Sequence, residues 1–115
     1  MSATFVSKDA RVHPSALIEG ARIGSRAVIR PHVLLYDGAV IGVGSVVGPE
    51  VGIGYRTRVG SGSRIGGRTV IGDRVIVGRK CRIGAACRIG NDVIVADGAR
   101  IEDRAIIGDG VYVPA

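Results

Sequence analysis

The 115-residue sequence has no tryptophan or glutamine, one methionine, three leucines and only four aromatic residues. With straight-chain helix formers this scarce, a mainly helical protein is excluded. No apolar run approaches the eighteen or so residues of a membrane span, and the N-terminus has no signal-peptide core. Two cysteines without a targeting segment fit a reducing cytoplasm. The 19 glycines follow no G-X-Y period, so collagen is excluded. Disorder is excluded too, because 46% of the residues are hydrophobic and they are spread evenly. What the chain does have is valine and isoleucine, 31 of them. Branching at Cβ favours strands.

Charge is uneven. Residues 1–50 carry five Lys/Arg against four Asp/Glu, residues 51–88 nine against one, and residues 89–115 two against five. A basic belt therefore lies mid-chain, within a net charge of +6. Such a belt attracts anions.

The main signal is a repeat of six. From Leu17 to Val113, every sixth residue is Leu, Ile or Val, seventeen positions in all. Four residues after each comes a small or β-branched residue, from Ala21 to Val111. Gly follows the aliphatic in eleven of the seventeen hexads. This reads as a three-residue strand pointing in, out, in, followed by a tight three-residue corner. Gly suits the corner because of positive φ or close backbone approach. Three six-residue sides close an eighteen-residue triangular coil, and coils stack with strands roughly 4.8 Å apart. About six coils form one all-β domain over residues 1–115, with in-register hexads from Leu17 to Val113. Val12 and Ala16 fit one residue out of phase, which places a one-residue deletion in the corner at Glu19-Gly20.

This [LIV]-G-x-x-[STAV]-x pattern resembles the hexapeptide-repeat acyltransferase superfamily over nearly the whole chain. The resemblance implies a left-handed parallel β-helix; the spacing itself does not set the hand. The stretch Val12-His13-Pro14-Ser15-Ala16-Leu17 resembles the first coil of many members. The stretch Arg30-Pro31-His32-Val33-Leu34-Leu35-Tyr36-Asp37-Gly38 resembles the UDP-acylglucosamine N-acyltransferases of lipid A biosynthesis. The superfamily implies acyl transfer from acyl-CoA or acyl carrier protein, no tightly bound cofactor, and homotrimers with sites between subunits. The chain departs from those enzymes in having no loop excursion between hexads, no helix or extension after Val113-Pro114-Ala115, and no longer histidine-centred segment.

Stacking by eighteen, corrected for the deletion, puts Ser15, His32, Glu50, Arg68, Ala86 and Arg104 in one corner column. A carboxylate beside an imidazole suits a general base that takes a proton from an acceptor amine or hydroxyl. His32 is the expected base and Glu50 its orienting partner; the Ser15-His32-Glu50 triplet is also the composition of a triad. Both also suit a solvated corner. The resemblance raises the γ-class carbonic anhydrases, which hold zinc with three histidines, but only His13 and His32 are present, so no metal is expected. Cys81 and Cys87 fall at inward positions on different sides of the prism and read as small buried hydrophobes. Gly42-Val43-Gly44 and Gly60-Ser61-Gly62 are explained by the hexad and lack the helix of a dinucleotide fold.

Outward strand positions form three columns. Arg64, Arg82 and Arg100 stack in one, where like charges repel unless an anion, a carboxylate or solvent intervenes. Arg64 and Arg82 are the expected contacts of an anionic donor such as CoA. Ile76, Ile94 and Tyr112 stack in another, and Leu34, Gly52, Val70, Arg88 and Ile106 form the third; both expose aliphatics and suggest subunit contacts. Corner columns pair Arg74 with Asp92, Arg79 with Asp97 and Glu50 with Arg68. Without an aromatic platform or a groove-entering helix, nucleic acid is not an expected partner. The expected function is acyl transfer from CoA or acyl carrier protein to an amine or hydroxyl. The alternative is a non-catalytic β-helix: a structural or assembly module, or a truncated or designed form without activity.

Overall fold

The computed structural model describes residues 3–115. Among them are nineteen two-residue strands, from β1 (Phe5–Val6) to β19 (Tyr112–Val113), and no helix. No helix is therefore long and apolar enough to cross a membrane. The strands form three parallel sheets, one of seven strands and two of six, in which every strand pairs with the strands three before and three after it. The result is a left-handed β-helix of about six triangular coils, with extents of 33 × 25 × 21 Å.

The outward positions name the faces. The arginine face presents Arg64, Arg82 and Arg100, paired in register. The notch face presents Leu34, Gly52, Val70, Arg88 and Ile106. The isoleucine face presents Ile76, Ile94 and Tyr112. Inward positions make one continuous core in which Ile23, Ile41 and Ile53 are fully buried. Each such side chain contributes about 1.5–3 kcal/mol by leaving water.

The register differs from the expected one at its start. Leu17 faces outward, 64% exposed, and pairs with Leu34. Ile18 pairs with Leu35 and packs against the core instead. The corner Glu19-Gly20 has two residues where others have three, so the coil before it runs one position out of phase, and Ala21 and Ile23 are the first residues of the later phase to point inward.

The corners also divide two roles expected of glycine together. The residue after the inward aliphatic is glycine because the next coil passes too close: a Cβ on Gly60 would lie 2.6 Å from the Gly78 carbonyl carbon. Positive φ belongs instead to the third corner residue, which is often not glycine: His32 has φ 61° and Glu50 φ 59°. Hydrogen bonds between coils offset this strain, as where the Glu50 N–H donates to the Pro31 carbonyl at 3.0 Å.

Polar groups inside the core are satisfied. Ser45, Thr57, Ser63 and Thr69 each donate to a carbonyl fifteen residues ahead, at 2.6 to 2.8 Å. Cys81 and Cys87 continue this series: their thiols donate to the Ala96 and Glu102 carbonyls at 3.0 Å. They are buried and unbridged, as expected, but serve as donors as well as small hydrophobes.

Candidate functional site

Two grooves flank one edge of the prism. The edge is built from corner residues such as Arg30-Pro31-His32 and Gly48-Pro49-Glu50, which lead from the arginine face to the notch face.

On the arginine side a groove of about 760 Å³ is lined by Arg30, Arg64, Arg82, Arg100 and Arg104. Strand pairing sets Arg64 beside Arg82 and Arg82 beside Arg100, all exposed. Among the described residues, none of the three ladder arginines has an ion-pair partner. Glu102 and Asp103 stand at the lower rim, but an Asp103 carboxylate oxygen already accepts the Ala85 N–H at 2.9 Å. Strand pairing keeps the backbones of the three arginines at strand spacing, which concentrates positive charge on this face.

On the other side a groove of about 360 Å³ holds His32 and Glu50 at one lip, Leu34 and Val70 along its walls, and Tyr36 and Tyr55 at the opposite lip. His32 and Glu50 occupy successive coils of the same column, as the spacing implied, and both are exposed. The His32 ring makes no hydrogen bond with the Glu50 carboxylate. The triad composition is not assembled either. The Ser15 hydroxyl accepts the main-chain N–H of His32 at 2.9 Å, and it contacts the His13 ring nitrogen Nδ1 at 2.8 Å. Ser15 thus supports the corner's backbone.

The expected corner pairs are met once. Arg74 Nε donates to Asp92 at 2.8 Å, and this guanidinium holds the Asp92 carboxyl below its ordinary value and raises Arg74. Asp97 instead accepts the main-chain N–H of Arg79 at 2.8 Å. Glu50 and Arg68 form no ion pair.

Three residues of the notch were not singled out by sequence reasoning: Gly52, Tyr36 and Tyr55. The tyrosine rings lie 5.2 Å apart, tilted by 32°. A signal existed. Tyr55 interrupts a corner column that otherwise reads Asp37, Asp73, Asn91 and Asp109, and Tyr36 heads one whose later members are Gly54, Gly72, Gly90 and Gly108.

With this geometry in hand, the chain can be set beside known proteins. A family model described as the GMPPB C-terminal domain matches residues 29–114. The chain belongs to this family. No curated protein sequence matches the chain. Among solved structures, the chain is similar to a UDP-N-acetylglucosamine acyltransferase, with TM-score 0.82, 18% identity, and coverage of 93% of this chain and 51% of that one. It is similar to a perosamine N-acetyltransferase from Caulobacter crescentus in complex with CoA and GDP-perosamine, with TM-score 0.56, 20% identity, and coverage of 92% and 53%. It is also similar to the acetyltransferase domain of PglB from Neisseria gonorrhoeae in complex with acetyl coenzyme A, with TM-score 0.51, 24% identity, and coverage of 97% and 54%. At these identities the likeness is one of fold, the left-handed β-helix. The chain spans about half the length of each of these proteins.

Proposed function

We propose that the protein is an acyltransferase that moves an acyl group from a CoA thioester to an amine or hydroxyl. The observation that carries this reading is the ladder of Arg64, Arg82 and Arg100, stacked in register along one groove, with the carboxylates of Glu102 and Asp103 at its rim. Its several cations match the several phosphates of CoA better than the single phosphate of an acyl carrier protein's arm. Arg64 and Arg82 contact the donor. The acyl arm crosses the shared edge toward His32. There the His32 ring takes the acceptor's proton as the acceptor attacks the thioester carbonyl, and the proton leaves with the CoA thiolate. Glu50 in the next coil favours the imidazolium that forms. The acceptor lies in the notch. Two structures similar in fold are complexes with CoA or acetyl coenzyme A, which supports this choice of donor. Association into a homotrimer through the isoleucine face completes the proposal.

Calorimetric titration with CoA tests the donor site. Saturable binding is expected, weakened about tenfold or more by Arg64→Gln with Arg82→Gln, since each lost charge-assisted bond is worth about 1.5–3 kcal/mol. Thiol release from acetyl-CoA with a panel of amines tests the chemistry. His32→Ala should lower turnover roughly a hundredfold with CoA affinity unchanged. A variant with full turnover removes His32 from the mechanism. The non-catalytic reading is favoured by one observation, the missing hydrogen bond between His32 and Glu50. It becomes the better account if CoA does not bind and no thiol is released.

A further inference from the structure

Gly52 is a glycine without a structural cause. It sits in the middle of a strand edge-to-edge with Leu34 and Val70, at an outward position. Glycine there weakens a strand relative to a residue with a side chain. The corner glycines have reasons, such as the close approach at Gly60 or the positive φ of 69° at Gly44. Gly52 has neither: its φ lies outside the left-handed region, and a Cβ built on it would meet nothing within 4 Å. Only Gly108 shares this, and no described coil follows it to make the close approach that its column-mates face.

Two other departures from the repeat fall beside it. Tyr36 and Tyr55 replace the Gly and Asp/Asn of their columns and bring their rings to 5.2 Å at the lip of the same groove. Leu34, 38% exposed, and Val70, 55% exposed, make its walls. At about 360 Å³ the groove lies near the low end of the roughly 300–1,000 Å³ of ligand sites. Its lining is apolar except at the lips: Glu50 and His32 on one side, and the tyrosines with Asp73 on the other, where an Asp73 carboxylate oxygen already accepts the Tyr55 N–H at 2.9 Å.

We infer that Gly52 opens a binding site for a flat aromatic ring bearing an amine, with the ring against Tyr36 and Tyr55 and the ammonium group toward Glu50. Aromatic rings pair favourably offset or edge-to-face, and the missing side chain supplies the depth. A pyranose fits less well, because those of its hydroxyls that face Leu34 and Val70 would lose water without gaining partners. As the acceptor site of an acyltransferase this inference rests on the acyl-transfer reading; as a binding site it does not.

The test is a titration of ¹⁵N-labelled protein with benzylamine, without CoA. Saturable shifts are expected at the amides of Gly52, Tyr36 and Tyr55 and not at Tyr112. Gly52→Val fills the notch: it should abolish those shifts while melting at the same temperature or higher, since the strand gains a β-branched residue. Tyr55→Ala should weaken binding several-fold. The site is overturned if benzylamine gives no saturable shift, if Gly52→Val still binds, or if Gly52→Val melts lower, which would make the glycine structural. Saturable shifts with D-glucosamine but not benzylamine overturn the ring class. Dissociation of an oligomer by Gly52→Val would mean that a second copy fills the notch. Benzylamine binding by a protein that neither binds CoA nor releases thiol removes the acyl-transfer reading and leaves the site standing.

Discussion

The coils before and after Thr57 follow the same repeat but spend it differently. The earlier coils hold three of the four prolines, both histidines, Tyr36, Tyr55 and Gly52. They also contain the short corner at Glu19-Gly20. The later coils are regular. Their corners are clamped by acidic or amide side chains: Asn91, Asp103 and Asp109 accept the main-chain N–H groups of Asp73, Ala85 and Asn91 at 2.8 to 2.9 Å. Their outward positions carry the arginine ladder and the exposed isoleucines. In a solenoid the inward positions must satisfy one packing rule everywhere, so they carry little information about function. Departures at outward and corner positions cost the fold little. They accumulate in the earlier coils, around one notch.

If this contrast holds, the largest effect of surface change lies in the later coils. On the isoleucine face Ile76 is 48% and Ile94 46% exposed, while the earlier coils present Arg22 and the half-buried Val40 in the same column. Contiguous exposed aliphatics of this kind mark contact surfaces. Replacing Ile76 and Ile94 together with Lys should convert an oligomer to monomers by sedimentation velocity, with the coil fold retained by circular dichroism. Val40→Lys should change association less. A wild type that is already monomeric at micromolar concentration removes the interface.

The interior gives the next effect. Ile71 is 2% exposed in a regular coil, whereas Ile18, beside the short corner, is only partly buried. Ile71→Ala should cost about 2–5 kcal/mol by the lost transfer and the cavity, measured by denaturant unfolding. Ile18→Ala should cost less than half as much. Equal losses would mean that the earlier coils are packed as tightly as the later ones.

Much of this was legible in the sequence. The period of six, the stacking by eighteen and the three outward columns all appear in the structure, because one small and one large inward residue per side is a strict geometric demand. The deletion at Glu19-Gly20 was legible as well. Its consequence for Leu17 was not, because Leu17 and Ile18 are both aliphatic and either fills the pattern; only pairing with Leu34 and Leu35 decides between them. The donor role of Cys81 could be read from its column, Ala27, Ser45, Ser63, Cys81, in which the two residues immediately before it carry hydroxyls. Gly52 was hidden by company. In Val51-Gly52-Ile53-Gly54 it sits two residues from a corner glycine, and glycine is so common in the repeat that one at an outward position does not stand out. The missing bond between His32 and Glu50 was illegible, since column membership fixes neighbouring backbones and leaves exposed side chains free to point apart.

The smallest expected difference separates two carboxylates, one from each half. Asp9 is held below the ordinary value of 3.8 chiefly by the Ser25 hydroxyl, which donates to it at 2.7 and 2.9 Å. Asp92 is held below it chiefly by the hydrogen bond from Arg74, with the coulombic attraction of the same group adding to it. In both cases the folded state favours the ionised form. Their contribution to stability is therefore complete above the unfolded value and is lost as pH falls through the lower, folded value, so the window lies below about pH 4. Both groups are solvent-exposed, and the pair of Arg74 and Asp92 belongs to the class of surface ion pairs that contribute little. Salt distinguishes them. At about 1 M ionic strength the screening length shrinks to roughly 3 Å, which weakens attraction to a cation but not a neutral hydroxyl bond. In a carboxylate titration followed by NMR, the Asp92 midpoint should rise toward its ordinary value in 1 M salt more than that of Asp9, on which the attraction of Arg26 is the smallest of the lowering causes. Equal movement of both would show that the hydroxyl and the guanidinium hold their carboxylates in the same way, and this difference between the two halves would disappear.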